Sequence, residues 1–192
     1  MLKVVGVDLA GSPNRVTGLC CLDSRLSCEL ARAKSDDEIF SFVQEMDPML
    51  IAVDAPLSFP ISGGGFRKCD RELKKMGVKP LPLTLRGMRM LTERAIKLKR
   101  VLKELGYEVI EVFPSGAQKF LNLPSKKSGD KNLRDGLLSL GIRRIPREID
   151  IHVLDAITCA FVGLLYLKGK CIEVGDPVEG VIVMPRPHEN KK

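Results

Sequence analysis

An α/β fold on a mixed five-stranded sheet flanked by helices is what this 192-residue sequence predicts. Three observations carry the expectation. The chain opens with two short β-rich runs joined by a turn, two later apolar runs stop at prolines as buried parallel strands do, and the last long helical segment is almost wholly apolar, so it must lie against a sheet.

Lys3 to Asp8 and residues 16–22 read as a hairpin about Ser12-Pro13-Asn14, and 27–33 as a weaker third strand. From Asp36 to Met46, Ile39, Phe42, Val43 and Met46 recur at helical spacing behind an acidic first turn. Residues 49–53 are entirely apolar and end at Asp54-Ala55-Pro56, a buried strand stopped by proline. Residues 57–106 then interrupt the alternation as a helical, basic insertion after the fourth strand. It holds a Gly/Pro-rich loop at 58–65 and a helix with Phe66, Cys69, Leu73 and Met76 on one face, capped by Gly77. After a proline-rich turn at 79–82, a longer helix carries the stripe Met88, Leu91, Ala95, Leu98, Leu102 and Leu105 and stops at Gly106.

Residues 107–113 form the expected fifth strand with Glu111 in its middle, and Ser115 is placed to cap a short helix holding Phe120 and Leu121. A small amphipathic helix follows at 130–140, then the apolar helix at 150–165, and a hairpin spanning 170–185 closes the chain. Asp155 stands in the middle of that apolar helix. An isolated ionised carboxylate there costs several kcal/mol unless it is paired or bound to metal.

The length suits one domain, 1–192, able to bury roughly 70% of its unfolded surface. No apolar run approaches the ~20 residues of a membrane span, so no membrane partner is expected. The N-terminus enters a strand pattern directly, without the features of a secretory signal, and the expected location is the cytoplasm. Six cysteines without a Cys-x-x-Cys pair read as reduced core thiols; the adjacent Cys20 and Cys21 must face opposite sides of their strand, one in and one out. Between residues 66 and 105 there are 13 Lys or Arg against 4 Asp or Glu, a local excess of +9 in a chain of net charge +7. A basic block beside an acidic centre suits a polyanionic partner such as nucleic acid; solvated helix faces are the plainer alternative.

Strands ending in Asp8 and Asp54 place both acids at the carboxyl edge of the sheet, where open α/β folds bind ligands, and a buried helix crossing that sheet delivers Asp155 to the same point. Three carboxylates, with Glu111 as an outer fourth, form a donor set for two Mg²⁺ or Mn²⁺ ions about 4 Å apart, the apparatus of phosphodiester hydrolysis. The alternatives are a turn-capping Asp8, an Asp54 bonded to the loop before Pro56, and an Asp155 paired with a buried Arg.

Gly6-Val7-Asp8-Leu9-Ala10-Gly11-Ser12, Ala52-Val53-Asp54-Ala55-Pro56, Cys69-Asp70-Arg71-Glu72-Leu73, Arg86-Gly87-Met88-Arg89, Glu111-Val112-Phe113-Pro114 and His152-x-x-Asp155-Ala156 together resemble the DUF429 family of predicted nucleases with a ribonuclease H-like fold. Asp8 and the His152-x-x-Asp155 helix also look like RuvC-type Holliday junction resolvases, whose corresponding positions help bind catalytic metal. There the acid after the fourth strand is usually Glu; here it is Asp54. The resemblance implies Asp8, Asp54 and Asp155 as metal ligands, His152 as ligand or base, and Glu111 as an outer member of the site. Asp70, Arg71, Arg86 and Arg89 fall in family-like motifs where phosphate contact competes with plain salt bridging. It also implies a metal-dependent nuclease acting on DNA or RNA, with pairing of two chains into a homodimer left open; with no Trp and only two Tyr to stack bases, recognition through backbone or shape is expected. A non-catalytic nucleic-acid-binding protein is the rival reading. A third starts from Gly6-Val7-Asp8-Leu9-Ala10-Gly11, which resembles the first phosphate loop of actin-like ATPases.

Overall fold

The computed structural model describes residues 1–12, 15–125 and 128–187; Pro13 and Asn14 of the expected hairpin turn lie outside them. The strands β1 (Lys3–Asp8), β2 (Thr17–Asp23) and β3 (Cys28–Ala33) precede α1 (Asp36–Met46) and β4 (Leu50–Asp54). The insertion supplies α2 (Lys68–Lys75) and α3 (Arg86–Glu104). Then come β5 (Val109–Glu111), α4 (Pro114–Phe120), α5 (Asp130–Ser139), α6 (Ile151–Leu167) and the hairpin of β6 (Cys171–Asp176) and β7 (Gly180–Pro185). The sheet order is β3-β2-β1-β4-β5. β1, β2 and β3 pair antiparallel in turn, whereas β1, β4 and β5 run parallel, so the sheet is mixed as expected.

Local chemistry sets the element ends. Ser35 and Glu38 form a reciprocal capping box at the start of α1. Gly106, at φ 92°, ends α3: its N–H reaches the Lys103 carbonyl and the Tyr107 N–H reaches Leu102. That closure takes residue 107 out of the sheet, and Pro114 occupies the first turn of α4, so β5 is three residues long rather than the seven expected. Ser115 is not the cap of α4. Phe113 holds that position in extended conformation with Pro114 following it, because a proline at the first helical position needs no N–H partner.

Helices cover both faces of the sheet. One face packs Val5, Val7, Ile51 and Val53 against Ile39 and Val43 of α1 and Ala95, Leu98 and Leu102 of α3. The other packs Val4, Leu22 and Ala52 against α6, with residues of α2, α4, α5 and the C-terminal hairpin around it. Cys20 and Cys21 are therefore both buried, one in each core, and neither faces out. Burial pushes the thiols of Cys21 and Cys69 up to about 11 and about 12, which keeps them protonated and poor nucleophiles. Among the described residues no helix is long and apolar enough to cross a membrane.

The seating of α6 depends on two glycines. A Cβ at Gly6 of β1 would collide with the backbone of Ala156 and Ala160, and one at Gly18 of β2 with the backbone of His152. Without side chains there, the helix lies directly on the strands, closer than ordinary side-chain packing allows.

Candidate metal centre

Asp8 and Asp54 are direct partners in the parallel register of β1 and β4, so both side chains leave the carboxyl edge of the sheet on the same face. α6 crosses that face, and Asp155 lies on its second turn, 2% exposed. The close seating at Gly6 and Gly18 lowers that turn onto β1. One ligand oxygen from each of Asp8, Asp54 and Asp155 lies within 4.8 Å of the others. Carboxylates held this close repel one another unless a proton or a cation lies among them. All-oxygen, anionic donors are the set preferred by hard divalent cations such as Mg²⁺ and Mn²⁺.

Other side chains orient these acids. His152, one turn before Asp155 on α6, places Nδ1 at 2.7 Å from Asp8 Oδ2. With Nδ1 protonated the ring donates to Asp8 and turns that carboxylate toward the cluster. Gln118 of α4 donates from Nε2 to Asp155 Oδ1 at 2.9 Å and to Thr158 Oγ at 3.2 Å, while Thr158 donates to the Leu154 carbonyl. One buried partner of Asp155 is thus an amide. Gln118 carries no motif that would have singled it out. On the loop after β1, the Ala10 N–H donates to Thr17 Oγ and its carbonyl accepts from Arg94, which also pairs with Asp36. Those two backbone groups of the supposed phosphate loop are engaged within the protein.

Glu111 belongs to a second charged cluster. Arg67, 1% exposed, donates to both oxygens of Glu111 at 2.6 and 2.7 Å and to both oxygens of Asp70 at 3.1 Å. Glu111 also accepts from the Leu57 N–H at 2.8 Å. Burial alone would lower the pKa of the Arg67 guanidinium, but the hydrogen bonds and charges of Glu111 and Asp70 outweigh it and hold the value above the ordinary range. Burial pushes the Glu111 carboxyl up, against the opposing pull of Arg67. Asp70, expected in phosphate contact, has both oxygens committed to this network. Among the described residues no buried side-chain nitrogen or oxygen lacks a hydrogen-bond partner, the condition under which buried charge is tolerated.

Asp8 and Asp54 of the first cluster and Arg67, Asp70 and Glu111 of the second line one cavity of about 350 Å³ at the carboxyl edge of the sheet. Met88 and Leu91, expected in the apolar stripe of α3, line this cavity while Ala95, Leu98 and Leu102 enter the core. Lys79 of the proline-rich turn lines it too, a residue that motif reading passed over. Arg71 donates to the Phe66 carbonyl, Arg89 pairs with Glu93 one turn on, and Arg86 is exposed at the start of α3; none of the three lines the cavity.

No curated protein matches the chain. Among solved structures, Thermus thermophilus RuvC in complex with a Holliday junction substrate superposes with a TM-score of 0.55 at 15% identity, covering 88% of this chain and 96% of that one. A second Thermus thermophilus RuvC structure gives 0.51 at 14% identity, covering 88% and 97%. At these identities the likeness is one of fold, and the fold is ribonuclease H-like. The family described as "Protein of unknown function (DUF429)" matches residues 6–180, and this chain, with the sheet and the acidic cluster just described, belongs to that family.

Proposed function

We propose that this protein is a metal-dependent nuclease that hydrolyses phosphodiester bonds, with Asp8, Asp54 and Asp155 as ligands of one or two Mg²⁺ or Mn²⁺ ions. The observation that carries the reading is the convergence of the three carboxylates within 4.8 Å at the ligand-binding edge of the sheet. Bound there, the ions would activate water and neutralise the charge that develops on the phosphate. The chain's own part is to hold the acids: His152 orients Asp8 and Gln118 orients Asp155, as outer partners do in metal sites. Lys79 and the exposed basic residues of the insertion supply charge for phosphates. That a fold neighbour is described in complex with a Holliday junction supports nucleic acid as the substrate class. The nucleotide-binding alternative draws no support from the loop after β1, whose Ala10 groups are already bonded.

The test is cleavage of labelled duplexes, single strands, RNA–DNA hybrids and four-way junctions with Mg²⁺ or Mn²⁺, comparing the native protein with Asp8→Asn and Asp155→Asn. The expected outcome is metal-dependent cutting that falls about a thousandfold in each variant, equivalent to roughly 4 kcal/mol of barrier. Binding that persists unchanged in both variants, with no substrate cut, would sink the nuclease in favour of a non-catalytic binding protein.

A further inference from the structure

The insertion does more than add charge. Its residues Lys79, Leu81, Leu83, Met88 and Leu91 line the cavity together with Asp8 and Asp54, and Phe113 and Ile182 add to the apolar lining. The acids are recessed, with the Asp8 side chain 13% exposed and Asp155 2% exposed. Asp8 and Asp54 line the cavity, so a phosphate that enters it meets them directly. The cavity volume of about 350 Å³ falls at the small end of the roughly 300–1,000 Å³ typical of small-molecule sites. An intact duplex, whose major groove alone is about 12 Å across, does not fit such a space. One nucleotide does. The chemistry agrees: carboxylates at one end for a metal-bridged phosphate, the exposed Lys79 for a second phosphate, and apolar walls with one aromatic ring for a flat base.

Building on the nuclease reading, we propose that this cavity takes a single unstacked nucleotide, so that the substrate must present an unpaired or extruded residue at the scissile phosphate. In a stacked, fully paired strand the base is held between its neighbours and against its complement, so it cannot enter the cavity with its phosphate unless it is extruded. The nucleotide chemistry is shared by DNA and RNA, and no residue lining the cavity distinguishes them by charge.

Two measurements test the proposal. Calorimetric binding of thymidine and uridine 5′-monophosphates in Mn²⁺ is compared between the native protein, Met88→Trp and Leu81→Trp, the last at a position 57% exposed. Cleavage is then compared among a fully paired duplex, the same duplex with one unpaired nucleotide, and the single strand, each as DNA and as RNA. The expected results are mononucleotide binding weakened at least tenfold by both Trp variants at unchanged Mn²⁺ affinity, and cutting of unpaired substrates at least tenfold faster than of the paired duplex. No mononucleotide binding, or binding indifferent to both Trp variants, overturns the proposal. So does cutting blind to pairing, which would leave the nuclease intact. Binding that the Trp variants block, with nothing cut, retains the pocket and removes the nuclease.

Discussion

Two groups of carboxylates border the same cavity under opposite electrical arrangements. Asp70 and Glu111 enclose Arg67, so two negative charges are answered by one guanidinium that meets each with paired hydrogen bonds. Asp8, Asp54 and Asp155 converge on one another, with His152 bonded to Asp8 and Gln118 to Asp155. The first group bonds both of its acids to a fixed cation on folding and reads as structure, tying α2 to β5 and to the Leu57 backbone. The second concentrates negative charge at a ligand edge and reads as a place for a cation. The two groups differ in geometry: one is built around a guanidinium, whereas the other is three carboxylates with ligand oxygens within 4.8 Å of one another.

Substituting one member of each group is the strongest way to break that comparison. Arg67→Met leaves two buried acids without their cation and is expected to cost about 3–5 kcal/mol of stability in urea unfolding. Asp155→Asn keeps an acceptor for Gln118 and removes one repelling charge, so without metal its unfolding free energy should stay within about 1 kcal/mol of native. Equal losses in the two variants would mean that the groups do not differ as described.

A smaller effect tests how the open group is assembled. Gly6→Ala forces a methyl into the backbone of α6, with an expected cost of about 1–3 kcal/mol, and lifts Asp155 from Asp8. Mn²⁺ affinity measured by calorimetry should fall with it; native affinity in a destabilised variant would show that the glycine contact does not set the ligand spacing. The smallest effect concerns the entry of α6. Asp150 caps the helix through the Val153 N–H and pairs with Arg32. Burial, the largest single influence, raises its pKa, but the Val153 N–H and the Arg32 contact together outweigh it and hold the value below the ordinary 3.8. Asp150→Ala should cost about 1 kcal/mol at neutral pH. Because the folded value is depressed, the native advantage is complete above pH 3.8 and fades as pH falls through the folded value. A difference that persists undiminished in strong acid would assign the stabilisation to something other than the charged cap.

Asp8, Asp54 and Asp155 were legible because each violates a local pattern that sequence displays: two polar ends on apolar strands and one acid inside an apolar helix. The order of the elements was legible for the same reason, since hydrophobic period and proline or glycine stops act over a few residues. Strand 107–113 was read too long because the closure of α3 and the Pro114 turn compete for its ends, a contest decided by packing.

The sequence by itself determined which segments are strands and helices, that a buried acid in α6 needs company, and that the insertion is basic. Only the tertiary structure decided which partner each acid received. Glu111 in an apolar strand required a cation, but Arg67 lies 44 residues away, and nothing in local spacing distinguishes it from the other 12 Lys or Arg of the basic block. Gln118 meets Asp155 across 37 residues, through helices brought together by a sheet whose glycines admit them. Periodicity reports which way a side chain faces; what it meets there depends on contacts between segments far apart in the chain, and those exist only once the fold has closed.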